Sequence, residues 1–348
     1  MTLEGMVRAV PDRPSLSFGV LAPSEPTTIR RLEDLGIDSF WVGGHIASPR
    51  GTPEAMTGLA RLVSSTQRAT VGTAALVLPL YPPALVAKQF ADLDVASGGR
   101  VVAGVGVGGD DPADFDAMQI PLHDRGARAD EMVPLLRRLW AGDQVTHDGT
   151  YFRFRDVRVL PRPVQPGGPP IVVAGRRGAA VRRAALLGDG WMPYLYSPRR
   201  YRESVASVRA CAGEAGRSLG RFAWMAWMIL SIAGDPRQAE READAYVPGG
   251  SRPEHAGLSA RVAAAGDVEG VIGRLGEYVE AGARHFIFHC VPRDDPLEIP
   301  RCLLEDVIPE VRARFAARPA SAISDHHDPE GESMHHVVSP ACSTGAER

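Results

Sequence analysis

Residues 16–42 read LSFGVLAPSEPTTIRRLEDLGIDSFWV: a short apolar run, a longer amphipathic stretch and a second short apolar run. The first predicts a strand over 16–21. The stretch from about Glu25 to Leu35 predicts a helix, which Gly36 closes as a C-terminal cap. The second run predicts a strand over 39–42. Strand, helix and strand in so few residues make one βα repeat, the building block of a parallel sheet.

The same alternation recurs outward from that stretch. Further strands are expected at 70–78, 101–107, 171–174, 190–193, 222–233 and 285–290. Helices are expected near 53–65, 83–96, 125–140, 179–187, 198–215, 268–281 and 296–316. The 70–78 run is long for a barrel strand, which predicts an irregularity at Gly72-Thr73-Ala74-Ala75. In 125–140, Met132, Leu135, Leu136 and Leu139 form a core-facing stripe, and Pro134 predicts a kink. Two segments break the rhythm. At 144–160, His147-Asp148-Gly149-Thr150 separates two alternating runs, as in a hairpin. Residues 234–266 favour helix but are interrupted by Pro248-Gly249-Gly250, an insertion of the size of a mobile lid. Eight βα units in order predict an α/β protein, a (β/α)8 TIM barrel over 16–316, with a β-hairpin insertion after helix 4 and a lid-like insertion after strand 7. Residues 1–15 read as a flexible leader and 317–348 as a disordered tail, whose His326, His327, His335 and His336 read as solvated rather than metal-binding.

Composition sets the outer bounds. With 348 residues, 44% hydrophobic and 23% charged, the chain has the makeup of a globular protein, not of a disordered or fibrous one. A formal charge of -3 provides no positive field for a nucleic acid. No run is apolar and long enough to span a membrane, and the N-terminus lacks the apolar centre of a signal peptide. The four cysteines form no Cys-x-x-Cys pair, so neither a zinc site nor a disulfide framework is expected and a reducing cytoplasm is the expected home.

In a TIM barrel the site lies at the C-terminal ends of the strands. Those ends are rich in glycine and poor in acid: Gly43-Gly44-His45, Thr73-Ala74-Ala75, Gly106-Val107-Gly108-Gly109 and Ala174-Gly175-Arg176-Arg177-Gly178. A metal site is not expected from this set. Gly175-Arg176-Arg177-Gly178 opens a helix, so backbone N–H groups, the helix dipole and two guanidinium groups converge on one place, as a phosphate requires. The plain alternative is a tight turn with solvated arginines. Gly104-x-Gly106-x-Gly108-Gly109 imitates a dinucleotide fingerprint but lacks its third glycine spacing and its downstream acid. His45 is a titratable ring at a strand end, suited to shuttling a proton, although a histidine there is often structural. His285 and His289 alternate on the last strand and are expected to pack on one side. Asp110, Asp111, Asp114 and Asp116 read as a solvated acidic face. Trp41, Trp191, Tyr194 and Trp227 could wall a pocket or simply fill the core.

Ser39 to His45, Val71 to Pro79, Ser97 to Gly109, Asp124-Arg125-Gly126-Ala127-Arg128, Leu160 to Gln165 and Leu187 to Trp191 together resemble the bacterial-luciferase-like superfamily, and most closely its deazaflavin (coenzyme F-420) dependent branch. The resemblance implies an oxidoreductase that exchanges hydride between coenzyme F-420 and a small organic substrate. It also implies a cis peptide at Ala74-Ala75 beside the cofactor ring, with Thr73 contributing there. Gly106, Val107 and Gly108 would lie along the cofactor, and Ala174, Gly175, Arg176, Arg177 and Gly178 would hold its phosphate. His45 matches the histidine that serves proton transfer. A homodimer and a separate reductase that supplies reduced cofactor are implied in the same way. Two alternatives are a two-component monooxygenase that uses reduced flavin mononucleotide (FMN), and a non-catalytic flavin-binding barrel. Two departures stand out. Gly44 replaces an aspartate common in the family, leaving His45 without a local acid partner, and Gly109 replaces a glutamate found in members that oxidise sugar phosphates.

Overall fold

The computed structural model describes residues 16–47, 51–109, 112–246 and 257–315. The expectations for the leader and the tail lie outside the described residues. The strands are β1 (Ser17–Leu21), β2 (Ser39–Val42), β3 (Thr70–Thr73), β4 (Leu76–Val77), β5 (Val101–Gly106), β6 (Val145–Asp148), β7 (Arg153–Val157), β8 (Ile171–Ala174), β9 (Gly190–Met192), β10 (Ala223–Ile232), β11 (Ala264–Gly266) and β12 (His285–Cys290). The helices are α1 (Pro26–Leu35), α2 (Ala55–Ser65), α3 (Pro83–Ser97), α4 (Pro112–Ala117), α5 (Arg125–Trp140), α6 (Gly178–Leu187), α7 (Pro198–Glu214), α8 (Pro236–Tyr246), α9 (Ser259–Val262), α10 (Val268–Glu280), α11 (Glu298–Cys302) and α12 (Ile308–Phe315).

Parallel pairing runs β10-β12-β1-β2-β3-β5-β8-β9, and β9 pairs back onto β10, with Ala223 opposite Gly190 and Trp224 opposite Trp191. The sheet is therefore closed, and the expected eight-stave barrel is present. Its staves are nearly continuous apolar runs because each is covered twice, by the lumen on one face and by helices on the other. The first βα unit forms as read: Pro26 opens α1, and Gly36 ends it at φ 108° with its N–H on the Glu33 carbonyl.

The lumen is filled from the N-terminal end upward. Trp41, Val172, Met192, Met225 and Ile287 form one buried cluster. The Trp41 indole donates to Ser39 Oγ at 2.9 Å, and Ser39 Oγ lies 2.8 Å from His285 Nε2. A Cβ on Gly72 would stand 2.4 Å from the Trp41 ring, so that glycine makes the ring's space. Burial pushes His285 down to about 4, which keeps it a neutral member of this plug.

The third stave is irregular where expected: β3 and β4 are separated by a cis Ala74–Ala75 peptide. The expected hairpin is β6–β7, an antiparallel pair held by the Glu131 carboxylate, which accepts the N–H groups of Tyr151 and Phe152. α5 runs through Pro134 as one helix, because Leu135, Leu136 and Leu139 beyond it are buried in the core.

Two segments differ from the sequence reading. The 234–266 insertion is not only helical: its end forms β11, which pairs in parallel with Leu230, Ser231 and Ile232 of β10 and is thereby tied into the sheet. Residues 247–256, the middle of the 234–266 stretch read as a lid, lie outside the described residues. The acidic stretch after β5 also carries a short helix, α4, which turns Asp114 and Phe115 into the protein, at 2% and 1% exposure.

Candidate active site

At the C-terminal rim, His45 follows β2 by three residues. Its Nδ1 lies 2.7 Å from Asp114 Oδ2, while Asp114 Oδ1 accepts the N–H groups of Ile46 at 2.7 Å and Ala47 at 2.8 Å. The acid partner that seemed missing beside the ring is thus present, supplied from α4 and separated from His45 by 69 positions in sequence. This corrects the reading of Asp114 as part of a solvated face. Gly44 could not have carried the acid in this packing, since a Cβ there would stand 2.4 Å from Ala55 N at the start of α2.

Burial works to raise the Asp114 pKa, but the N–H groups of Ala47 and Ile46 and the His45 ring outweigh it, and the carboxyl is held below its ordinary value. An ionised Asp114 is an acceptor only, so it selects the tautomer with the proton on Nδ1 and leaves His45 Nε2 as the ring's exposed proton acceptor. The His45 side chain is 28% exposed and Asp114 2%. Behind them, Glu54 caps α2 through Met56 and Thr57 and accepts the Tyr81 hydroxyl at 2.7 Å. Burial and the Glu54 and Asp114 carboxylates push the Tyr81 phenol upward, so it stays protonated.

A linkage prediction follows from Asp114. Its folded pKa lies below the unfolded value of about 3.9, so its stabilisation is fully present above that pH and is lost as pH falls through the folded value. Asp114→Asn is expected to melt at a lower temperature than the parent at pH 7, and the gap is expected to close as pH is lowered below about 4. Melting curves from pH 7 to pH 3 test this, and a gap that stays constant with pH would refute it.

Beside His45, around the rim, Ala74, Ala75, Gly106 and Ala174 end neighbouring staves as small, half-buried residues and form a flat shelf. Thr73 sits differently from its neighbours. It is fully buried and donates its hydroxyl to the Gly104 carbonyl at 2.6 Å, so it ties β3 to β5 beneath the shelf. Val107 and Gly108 continue from the shelf, and Gly108 turns the chain at φ 64°.

The Gly175–Gly178 turn lies at the far end and is held from behind. The Gly175 N–H reaches the Met192 carbonyl, and the Gly175 carbonyl accepts the Trp191 indole N–H at 2.9 Å. The Arg176 carbonyl accepts from the Tyr196 hydroxyl and from Arg200. Arg177, the residue before α6, makes no side-chain cap; its carbonyl accepts the N–H groups of Ala180 and Val181, and the Gly178 and Ala179 N–H groups stand at the open end of the helix. The Arg176 guanidinium stacks 4.9 Å above the Tyr194 ring, and Arg177 is exposed. The aromatic candidates divide: Trp41 and Trp191 are core, whereas Tyr194 and Trp227 stand at the rim.

A cavity of about 410 Å³ lies between the C-terminal ends of β10 and β11 and the starts of α10 and α11, and includes Asp267, Glu298 and Cys302. Burial and Asp306 push the Cys302 thiol up to about 11, so it is inert, and the cavity lacks the shelf and the paired imidazole. Among the described residues, no group of three or more His, Cys, Asp or Glu could hold a metal ion, and no helix is long and apolar enough to cross a membrane.

Comparison with known proteins places this geometry. The luciferase-like monooxygenase family profile matches residues 24–285. An F420-dependent glucose-6-phosphate dehydrogenase of Beutenbergia cavernae is 31% identical over 318 residues, covering 81% of this chain and 91% of that protein. An F420-dependent secondary alcohol dehydrogenase, solved with an F420-acetone adduct, superposes with TM-score 0.75 at 22% identity, covering 86% of this chain and 99% of the other. A monooxygenase from Streptomyces bottropensis superposes with TM-score 0.71 at 24% identity, covering 84% and 99%. At those identities the two solved structures establish the shared barrel.

Proposed function

The chain belongs to the luciferase-like monooxygenase family, and from that premise we propose that it is an oxidoreductase exchanging hydride between coenzyme F-420 and a small organic substrate. The observation that carries the reading is the arrangement of one rim: an imidazole with a buried carboxylate partner at one end, a flat shelf of alanine and glycine in the middle, and an uncapped helix N-terminus with two arginines at the other. The relatives named as F420-dependent support the choice of cofactor.

The residues present fit that cofactor. A Cβ on Gly106 would stand 3.5 Å from Ala75 Cβ and 3.7 Å from Ala174 Cβ, so the absent side chain leaves a gap between two small residues where a ring can approach the backbone, and a methyl group would fill it. Gly175 at φ 142°, with a would-be Cβ 2.7 Å from Ala180 Cβ, lets the turn lie close against α6. When bound, coenzyme F-420 supplies the two-electron hydride chemistry. Ala74, Ala75, Gly106, Val107 and Gly108 would position its ring, and Ala174, Gly175, Arg176, Arg177 and Gly178 would hold its phosphate through N–H groups and guanidinium. His45 Nε2 takes the proton of a substrate hydroxyl, and Asp114 stabilises the imidazolium that results. In the opposite direction the imidazolium returns that proton to a carbonyl oxygen.

The monooxygenase reading, with reduced FMN in the same place, is favoured by the family's name and by the monooxygenases that share the barrel. A non-catalytic barrel has no need of an acid partner for His45, and the buried Asp114 beside the ring supports an operative site. Titration of the full-length protein with coenzyme F-420 and with FMN, each oxidised and reduced, separates the readings by absorbance and fluorescence. Coenzyme F-420 is expected to bind, and the double variant Arg176→Glu, Arg177→Glu to weaken it by about tenfold or more, as expected for losing charge-assisted bonds of about 1.5–3 kcal/mol. Preference for reduced FMN with oxygen uptake would establish the monooxygenase instead.

A further inference from the structure

The rim has a second half that the cofactor does not use, and its chemistry differs from that of the first. On β12, His285 and Ile287 face the lumen, the latter within the buried lumen cluster, so His289 two residues further on faces the same way at the mouth. On β10, Trp227 lies opposite Ile287 and Ile229 opposite His289, which points Trp227 into the same space. The rings meet there. Trp227 and His289 are 5.6 Å apart edge to face, His289 and Tyr246 are 4.8 Å apart, and the Tyr246 hydroxyl lies 3.2 Å from His289 Nε2. Tyr194 pairs with Trp227 through a backbone β-bridge. An aromatic wall thus runs from Trp227 through His289 to Tyr246 of α8. β12 and β2 are separated only by β1, so His289 and His45 belong to staves two apart around the barrel.

The basic residue that follows β12 is already taken. Arg293 binds Glu242 at 2.5 Å, lies 3.8 Å from Glu298 and donates to the Ile232 carbonyl. The only lysine of the chain, Lys88, is on α3, bound to Asp92 and to the Leu160 carbonyl. A phosphoryl group placed on this half of the rim would meet aromatic faces and a guanidinium occupied by carboxylates.

We propose that the substrate is an uncharged hydroxy or keto compound with an aromatic or otherwise flat apolar body, held against Trp227, His289 and Tyr246 with its oxygen toward His45, and not a sugar phosphate. The inference rests on the hydride-exchange reading above. In the oxidising direction the carbinol C–H bond breaks, and its hydrogen leaves with both electrons as hydride to the oxidised deazaflavin. The hydroxyl proton passes to His45 Nε2, and the carbonyl C=O bond forms. The wall supplies apolar contact and ring faces, and the His289–Tyr246 edge borders the space for a substituent.

The test is calorimetric titration of the full-length protein, saturated with oxidised coenzyme F-420, with acetophenone, with 1-phenylethanol and with glucose 6-phosphate. The two aromatic probes are expected to bind at least tenfold more tightly than the sugar phosphate and to change tryptophan emission. Trp227→Ala is expected to weaken them at least tenfold, whereas Trp227→Phe, which keeps a ring in place, retains binding and controls for folding. Glucose 6-phosphate binding as tightly as the aromatic probes, or equal probe affinity in Trp227→Ala and the parent, would overturn the substrate class and leave the hydride-exchange reading standing. Failure of coenzyme F-420 itself to bind in the first titration would bring down both.

Discussion

His45→Ala is expected to lower kcat for hydride exchange by about 10²- to 10⁴-fold while coenzyme F-420 binds with little change. That range is the usual contribution of a positioned general acid–base group. The split between kcat and binding matters, because the ring sits at the end of β2, whereas the proposed phosphate contacts sit at β8, three staves away. A structural histidine would give the opposite pattern, with lower melting temperature and an unchanged rate per folded molecule. Asp114→Asn sharpens the test. The amide keeps an oxygen for the N–H groups of Ile46 and Ala47, so the loop can hold its path, but it presents an N–H where Nδ1 met a carboxylate oxygen. The ring is then free to adopt the tautomer with its proton on Nε2, facing the substrate. A fall in kcat of about 10²-fold, with coenzyme binding intact, is expected from steady-state rates at neutral pH. Unchanged rates in both variants would remove His45 from the chemistry.

The part of this site that could be read along the chain is the part built from consecutive residues. Gly36 closing α1, the apolar staves and the Gly175–Gly178 turn each depend on neighbours within a few positions, where propensity and spacing act directly. The His45–Asp114 pair has no local spacing at all: it forms because α4 folds back over the end of β2, and only the buried Phe115 beside Asp114 hinted that this acidic stretch had an inward face. Height along a stave was equally hidden. Alternation places Trp41 and Trp227 on a face, but whether a ring plugs the lumen or lines the mouth depends on its level against neighbouring strands, which register alone decides. β11 escaped for a related reason, since Ala264, Ala265 and Gly266 become a strand only by pairing with the overhanging end of β10.

The glycines of β5 and the turn after it illustrate how one motif can serve several ends, and they give the largest stability effect expected in the molecule. Gly104→Ala would put its Cβ 1.8 Å from the Thr73 carbonyl oxygen and 2.9 Å from the Thr73 carbonyl carbon. Both are backbone atoms of the adjacent stave, so no side chain can swing aside. β3 and β5 would have to separate where Gly72 pairs with Val102 and where Thr73 donates to Gly104. Overpacking of a core typically costs 1–3 kcal/mol, and a clash with fixed backbone belongs at or above the top of that range, about 3 kcal/mol or more. At about 2–4 °C per kcal/mol, the melting temperature is expected to fall by roughly 10 °C, if folded protein is recovered at all. Gly106→Ala, two residues along the same strand, meets only ordinary contacts and is expected to change stability by less than about 0.5 kcal/mol. Its methyl group would instead fill the gap between Ala75 and Ala174 and is expected to weaken coenzyme F-420 about tenfold. Thermal melts and cofactor titrations of the two variants separate these roles. Equal stability of both would mean that the strands at Gly104 give way more easily than their packing indicates, and undisturbed binding in Gly106→Ala would move the ring off the shelf. The resemblance of Gly104-x-Gly106-x-Gly108 to a dinucleotide fingerprint then has a physical account: the first glycine lets two staves touch, the second flattens a surface, and the third, at φ 64°, turns the chain away.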